Sequence, residues 1–110
     1  MDRKNLGYRG EDLACALLEY KGYKIIERNY KTKAGEIDII AKNGTKLSFI
    51  EVKTRLSDAY GMGREAVDIN KQMHIRKTAE IFLVNNRLTY TRIDFQVIEI
   101  SIAHLDGLEF

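Results

Sequence analysis

Apolar residues fall into a helical pattern near the start of the chain and into short alternating runs through its middle. Between Asn5 and Lys21, the positions Leu13, Ala14, Leu17, Leu18 and Lys21 recur at three- and four-residue intervals, the spacing of one helix face. Gly22 follows as a terminator able to adopt left-handed backbone. Gly7 and Gly10 weaken the first turns, so the helix is expected to begin near Gly10. Tyr23 to Asn29 predicts a strand, and Glu36 to Ala41 with Lys46 to Thr54 predicts a hairpin. The stretch from Leu56 to Arg64, with Gly61 and Gly63, predicts a mobile loop.

A second helix is expected from Asp68 or Asn70, either a suitable N-cap, to Val84. Its stripe would run through Ile69, Met73, Arg76, Ala79 or Glu80, and Leu83, with Ile75 and Phe82 alongside. Arg92 to Ile102 predicts a long strand in which Ile93, Phe95 and Val97 alternate before Ile98, Ile100 and Ile102 take the other parity. That change implies a bulge or a new strand near Val97-Ile98. Strands bracketed by helices predict an α/β fold, a three-layer α/β/α sandwich around a central mixed sheet. At 110 residues the chain, 1–110, fits a single domain.

The hairpin carries the chemistry. Asn43-Gly44 between two apolar runs is a strong turn signal, because both residues tolerate positive φ. With that pair as the tip, Lys42 faces Thr45, Asp38 faces Phe49 and Glu36 faces Glu51. Period-two alternation then brings Glu36, Asp38, Glu51 and Lys53 to one face. Asp38 and Glu51 become diagonal neighbours, roughly 7–8 Å apart at Cα. The opposite face, with Ile37, Ile39, Ala41, Ile50 and Val52, reads as core.

Composition narrows the setting. No apolar run approaches a membrane span, and no apolar stretch follows the N-terminus as in a secretory signal. The single cysteine, Cys15, lies in an apolar run and reads as a small buried hydrophobe. A cytoplasmic location without membrane contact is expected. A net charge of +2 permits nucleic-acid binding without demanding it. The basic residues gather before the hairpin, at Lys21, Lys24, Arg28, Lys31 and Lys33, and again at Lys71, His74, Arg76 and Lys77.

Two carboxylates about 5 Å apart repel by roughly 3 kcal/mol at an effective dielectric of 20, so a proton, a cation or wide exposure must accompany them. Mg²⁺ suits hard carboxylate oxygens. Asp38, Glu51 and the Val52 backbone carbonyl would hold it, for phosphodiester hydrolysis. Lys53 would hold or activate the attacking water, or stabilise charge on the phosphate.

Asp38, a hairpin, then Glu51-Val52-Lys53 resembles the PD-(D/E)xK nuclease superfamily. Gly10-Glu11, Gly22-Tyr23, Arg28-Asn29, Gly35-Glu36-Ile37-Asp38, Phe49 to Arg55, Glu65-Ala66-Val67, Lys71-Gln72 and Arg92-Ile93-Asp94 together resemble the YraN-like family of small bacterial proteins. That family is similar to archaeal Holliday-junction resolvases. The resemblance implies a restriction-endonuclease-like fold and a Mg²⁺- or Mn²⁺-dependent endonuclease acting on branched or structured DNA. It implies that Glu11, on the first helix, approaches Asp38 and joins the metal shell. Gln72 and Lys71, in the first turn of the second helix, would meet substrate. Glu36 would stand behind the ligands, paired with Arg55. A residue other than proline, Ile37, precedes Asp38. Junction resolvases act as two-fold dimers, so a homodimer is an expected assembly. The competing expectation is a non-catalytic nucleic-acid-binding or scaffold module that keeps the fold. A weaker one is a partner-binding domain using the loop from Leu56 to Arg64.

Overall fold

In the computed structural model, residues 3–56 and 68–102 are described. Elements run in the order α1 (Arg3–Tyr20), β1 (Lys24–Thr32), β2 (Gly35–Asn43), β3 (Lys46–Leu56), α2 (Ile69–Asn85) and β4 (Arg92–Ile102). The strands form one mixed sheet in the order β1-β2-β3-β4. The first two pairings are antiparallel and β3–β4 is parallel. A parallel pair needs a crossover, and α2 lies in it. No helix among the described residues is long and apolar enough to cross a membrane.

The two helices cover opposite faces of the sheet. Ala14, Cys15 and Leu18 of α1 pack on Ile39, Ala41 and Ile50. Ile75, Ala79 and Phe82 of α2 pack on Ile37, Ile40, Leu47 and Phe49. Both helical stripes differ from expectation. Leu13 and Leu17 of α1 are largely exposed, and Ile69 and Met73 of α2 are 74% and 52% exposed. The buried row of α2 is Ile75, Thr78, Ala79 and Phe82, a strict i, i+3, i+4, i+7 set.

Helix α1 starts well before Gly10 and ends in a Schellman motif. Tyr23 N donates to Leu18 O, Gly22 N donates to Glu19 O, and Gly22 has φ +95. Gly10 lies inside the helix because α1 crosses β3 there. A Cβ at residue 10 would stand 2.9 Å from Thr54 Cβ and closer still to its hydroxyl oxygen.

The hairpin turns one residue later than the sequence suggested. Asn43 pairs with Lys46, Ile40 with Phe49 and Ile39 with Ile50, so Gly44-Thr45 is the tip. Gly44 has φ +61, as the first central residue of a type II′ turn requires. The tip is tied to the start of β4, since Thr45 O accepts from Thr91 N at 2.9 Å and the two threonine hydroxyls bond at 2.7 Å. Because the register moves by two residues, Ile39, Ala41 and Ile50 stay on their expected common face, but Phe49 no longer faces Asp38.

Strand β4 carries no bulge. Its register with β3 is unbroken from Lys46↔Arg92 to Leu56↔Ile102. Ile93 packs on the α2 side, and Ile98 and Ile100 pack on the α1 side. The parity change thus marks where cover passes from one helix to the other.

Irregularity lies instead in β1 and β2, where the register shifts between Ile25 and Glu27 and a change of face follows. Ile37 packs on the α2 side and Ile39 on the α1 side, although they are two residues apart. Their partners behave alike: Tyr30 packs toward α2, while Arg28 bonds Asp12 of α1. Between them Asn29 has φ +52, left-handed backbone inside a strand. Ile37 therefore leaves the face it was expected to share with Ile39.

Candidate acidic cleft

The hairpin ladder ends at Ile39↔Ile50. Beyond it β2 parts from β3, and Asp38 sits in the fork. Its Oδ2 accepts the Val52 N–H at 2.7 Å, so a side chain completes a bond that the ladder leaves unmade. A cleft of about 240 Å³ opens here, lined by Gly35, Glu36, Asp38, Glu51, Lys71, His74 and Ile75. Gly35 lets the floor meet α2 closely, with its Cβ position 3.2 Å from Thr78 Oγ1.

Burial pushes the Asp38 carboxyl up from 3.8 to about 7. The Val52 N–H opposes this, and the charges of Glu51, Glu11 and Glu36 add to it. The group therefore titrates near neutrality because water is withdrawn and acids surround it.

Glu51 is buried, and its Oε1 lies 2.5 Å from Lys71 Nζ. That hydrogen bond holds the Lys71 ammonium pKa above its ordinary value, against partial burial. Lys71 is presented by the helix cap: Asp68 Oδ1 accepts the Lys71 N–H at 2.8 Å. The cap thereby satisfies one of the free amides of the helix N-terminus.

Glu11 of α1 is 12% exposed and lies 3.6 Å from Arg28, beyond hydrogen-bond reach. Its Oε1 is buried and has no hydrogen-bond partner. Arg28 is drawn instead to Asp12, at 2.8 Å. Glu36 lines the cleft with an exposed side chain. Lys53 is half-buried on β3, two residues beyond Glu51 and beside Glu99 of β4 in the register. Arg55 forms an ion pair with that same Glu99 at 3.2 Å, where the sequence suggested Glu36. Gln72 lines a neighbouring groove of about 370 Å³, which shares Glu51 with the cleft and continues along Phe95, Arg76 and Val97.

The structure thus gathers Glu36, Asp38, Glu51 and Lys71 around one cleft, with the charge of Glu11 felt at Asp38. Among the described residues no three His, Cys, Asp or Glu side chains converge as a ready-made metal cage. Tyr30 packs edge-on against Phe82 in the core, with ring centroids 5.2 Å apart. The expected loop beyond Leu56 lies outside the described residues. Asn29 and Arg28 were missed as architects of the site. The conformational signal for Asn29 was an asparagine, the residue that best tolerates left-handed backbone after glycine, in a run that otherwise reads as strand.

A compact α/β domain with one helix on each sheet face and an acidic cleft at a strand fork defines the class. Residues 10–100 match the model of the uncharacterised protein family UPF0102, and the chain belongs to that family. A UPF0102 protein of Alkaliphilus metalliredigens is 46% identical over 91% of this chain and 88% of its own length. One from Dictyoglomus turgidum is 43% identical over 94% of this chain and 87% of its own. One from Clostridium perfringens is 43% identical over 97% and 87%.

Proposed function

We propose that this protein is a Mg²⁺- or Mn²⁺-dependent endonuclease of the PD-(D/E)xK type, with a restriction-endonuclease-like fold. Its expected substrate is branched or structured DNA, as for junction resolvases, in the cytoplasm and with a homodimer as the working assembly. The carrying observation is Asp38. A carboxyl with a pKa near 7, bonded to the backbone beside Glu51 and under the charge of Glu11 and Glu36, is withdrawn from water among other acids.

The donor set suits a hard dication. Asp38 and Glu51, with the Val52 carbonyl, are the proposed ligands, and Glu11 Oε1, which has no hydrogen-bond partner and lies 3.6 Å from Arg28, is the fourth candidate. When bound, such an ion supplies Lewis acidity and a more acidic water. The chain's own groups would do the rest. Lys53 carries a compact cation on the strand that bears Glu51, suited to hold the attacking water or to balance charge growing on the phosphate. Gln72 lines the adjoining groove, where it can orient the strand. Lys71 stands at the cleft wall, and the Arg55–Glu99 pair braces β3 against β4 behind Lys53.

Cleavage of a labelled four-way junction or flap with Mg²⁺, by the parent protein and by Asp38→Ala, tests this. The parent should cut and the variant should not. Intact DNA and RNA substrates throughout, or equal cutting by the variant, defeat it. One observation favours the second reading, a binding or scaffold module: Glu51 already has a cationic partner in Lys71. That reading requires salt-sensitive nucleic-acid binding that survives loss of both Asp38 and Glu51.

A further inference from the structure

Two facts about Glu51 sit uneasily with a simple ligand. Among the described residues it is the one charged residue in the buried class, and its Oε1 is already taken. The Lys71 ammonium lies 2.5 Å from Glu51 Oε1. The two partners are unequal, since the Glu51 side chain is 10% exposed and that of Lys71 is 49% exposed. Glu51 is fixed in β3 between Ile50 and Val52, both packed into core. Lys71 reaches in from the first turn of α2 on a flexible stem, and its side chain remains half exposed. The carboxylate cannot leave the cleft, whereas the ammonium can withdraw from it without being stripped of solvent.

We propose that Lys71 is a built-in counter-ion which competes with the divalent metal for Glu51. With no metal bound, it neutralises the buried carboxylate and keeps the cleft folded. When the ion enters, it takes the Glu51 oxygen and Lys71 swings outward, because a dication and an ammonium cannot share that oxygen without strong repulsion. Lys71 thereby sets the concentration at which the site loads. The groups facing it agree: Glu51, Asp38 and Asp68 all hold its charge in place. Asp68 does so as the helix cap, which fixes the stem at Lys71 N. This inference rests on the metal-site reading above, and it concerns loading rather than turnover.

Calorimetric titration with Mn²⁺ of the parent, Lys71→Gln and Lys71→Arg tests it, with no substrate present. Removing the charge should tighten Mn²⁺ binding about three- to tenfold, the size of a charged hydrogen bond released from competition. Lys71→Arg keeps the charge and should restore the parental affinity. A merely structural role would loosen binding in Lys71→Gln. In parallel, the Lys71 side-chain nitrogen signal in NMR should move toward that of a solvated lysine as Mn²⁺'s diamagnetic substitute, Mg²⁺, is added. Unchanged or weaker binding by a folded Lys71→Gln, or a Lys71 signal indifferent to Mg²⁺, overturns the exchange. If no variant and no parent binds either ion, the metal site itself falls, and the counter-ion role with it.

Discussion

Asp38 Oδ2 receives the Val52 N–H across the fork where β2 leaves β3, at 2.7 Å. The bond explains how an acid can sit at the end of a sheet ladder without leaving a backbone donor unpaired. It also fixes one carboxylate oxygen in the plane of the sheet. Glu51 enters the cleft from β3, so the two acids are placed by different strands held together through this contact.

Asp38 should give the metal-free protein an unusual pH dependence. Its folded pKa, about 7, lies above the ordinary 3.8, so the fold favours the protonated form. Its contribution to stability is complete below about pH 4 and is lost as the pH rises through 7. Thermal melts between pH 4 and 8 should show this loss. Asp38→Asn should flatten it and melt higher than the parent at pH 8. Saturating Mg²⁺ should cancel the loss in the parent alone. An identical pH slope in Asp38→Asn would assign the effect elsewhere.

Glu51→Gln should abolish cleavage and lower metal affinity at least tenfold, since an amide keeps the shape and loses the charge. It also removes the partner of the half-exposed Lys71 ammonium, which can turn to water, so denaturant melts should change by no more than about 1 kcal/mol. Cleavage retained within a factor of two would remove Glu51 from the proposed ligand set.

Gly10→Ala should destabilise the fold by about 1–3 kcal/mol despite the better helix propensity of alanine, because α1 would be driven off Thr54. The next residue is Glu11, so metal affinity should fall as well. Thr54→Ala in the same protein removes the closest atom and should recover part of both losses. Equal stability of Gly10→Ala and the parent would show that α1 can shift at no cost.

Asn29 holds φ +52 between Arg28, which faces α1, and Tyr30, which faces α2. Asn29→Gly should be tolerated within about 0.5 kcal/mol. Asn29→Val should cost about 2 kcal/mol, the penalty of a β-branched side chain in left-handed backbone. Chemical denaturation distinguishes the two. If valine is as well accepted as glycine, the face change has another origin.

Much of the layout was legible in local pattern. The N-cap Asp68, the terminator Gly22 and the strand runs act over a few residues, so the chain order of elements follows from the sequence alone. The acid–hairpin–Glu51-Val52-Lys53 spacing belongs to the same class, because strand alternation has a fixed period of two. The register tolerated a misplaced tip only because the error was an even number of residues, which leaves the side chains of the paired residues from Ile39 to Ile50 on their faces.

Other features depended on what each element meets. Leu13 and Met73 satisfy a helical period as well as Cys15 and Ile75 do, and only the position of the sheet decides which row is buried. The parity change in β4 looks like a bulge until two helices are seen to cover different ends of one strand. Gly10 reads as a weak helix start until Thr54 is placed against it. The Lys71–Glu51 contact joins residues twenty positions apart through a crossover, so no local pattern contains it. The sequence by itself determined the elements, their order and the acids carried on the hairpin, because those depend on short-range periodicity and turn chemistry. The tertiary structure decided which acid lies buried in the fork, which is met by a lysine and which faces solvent, because desolvation and charge pairing are set by neighbours distant in the chain.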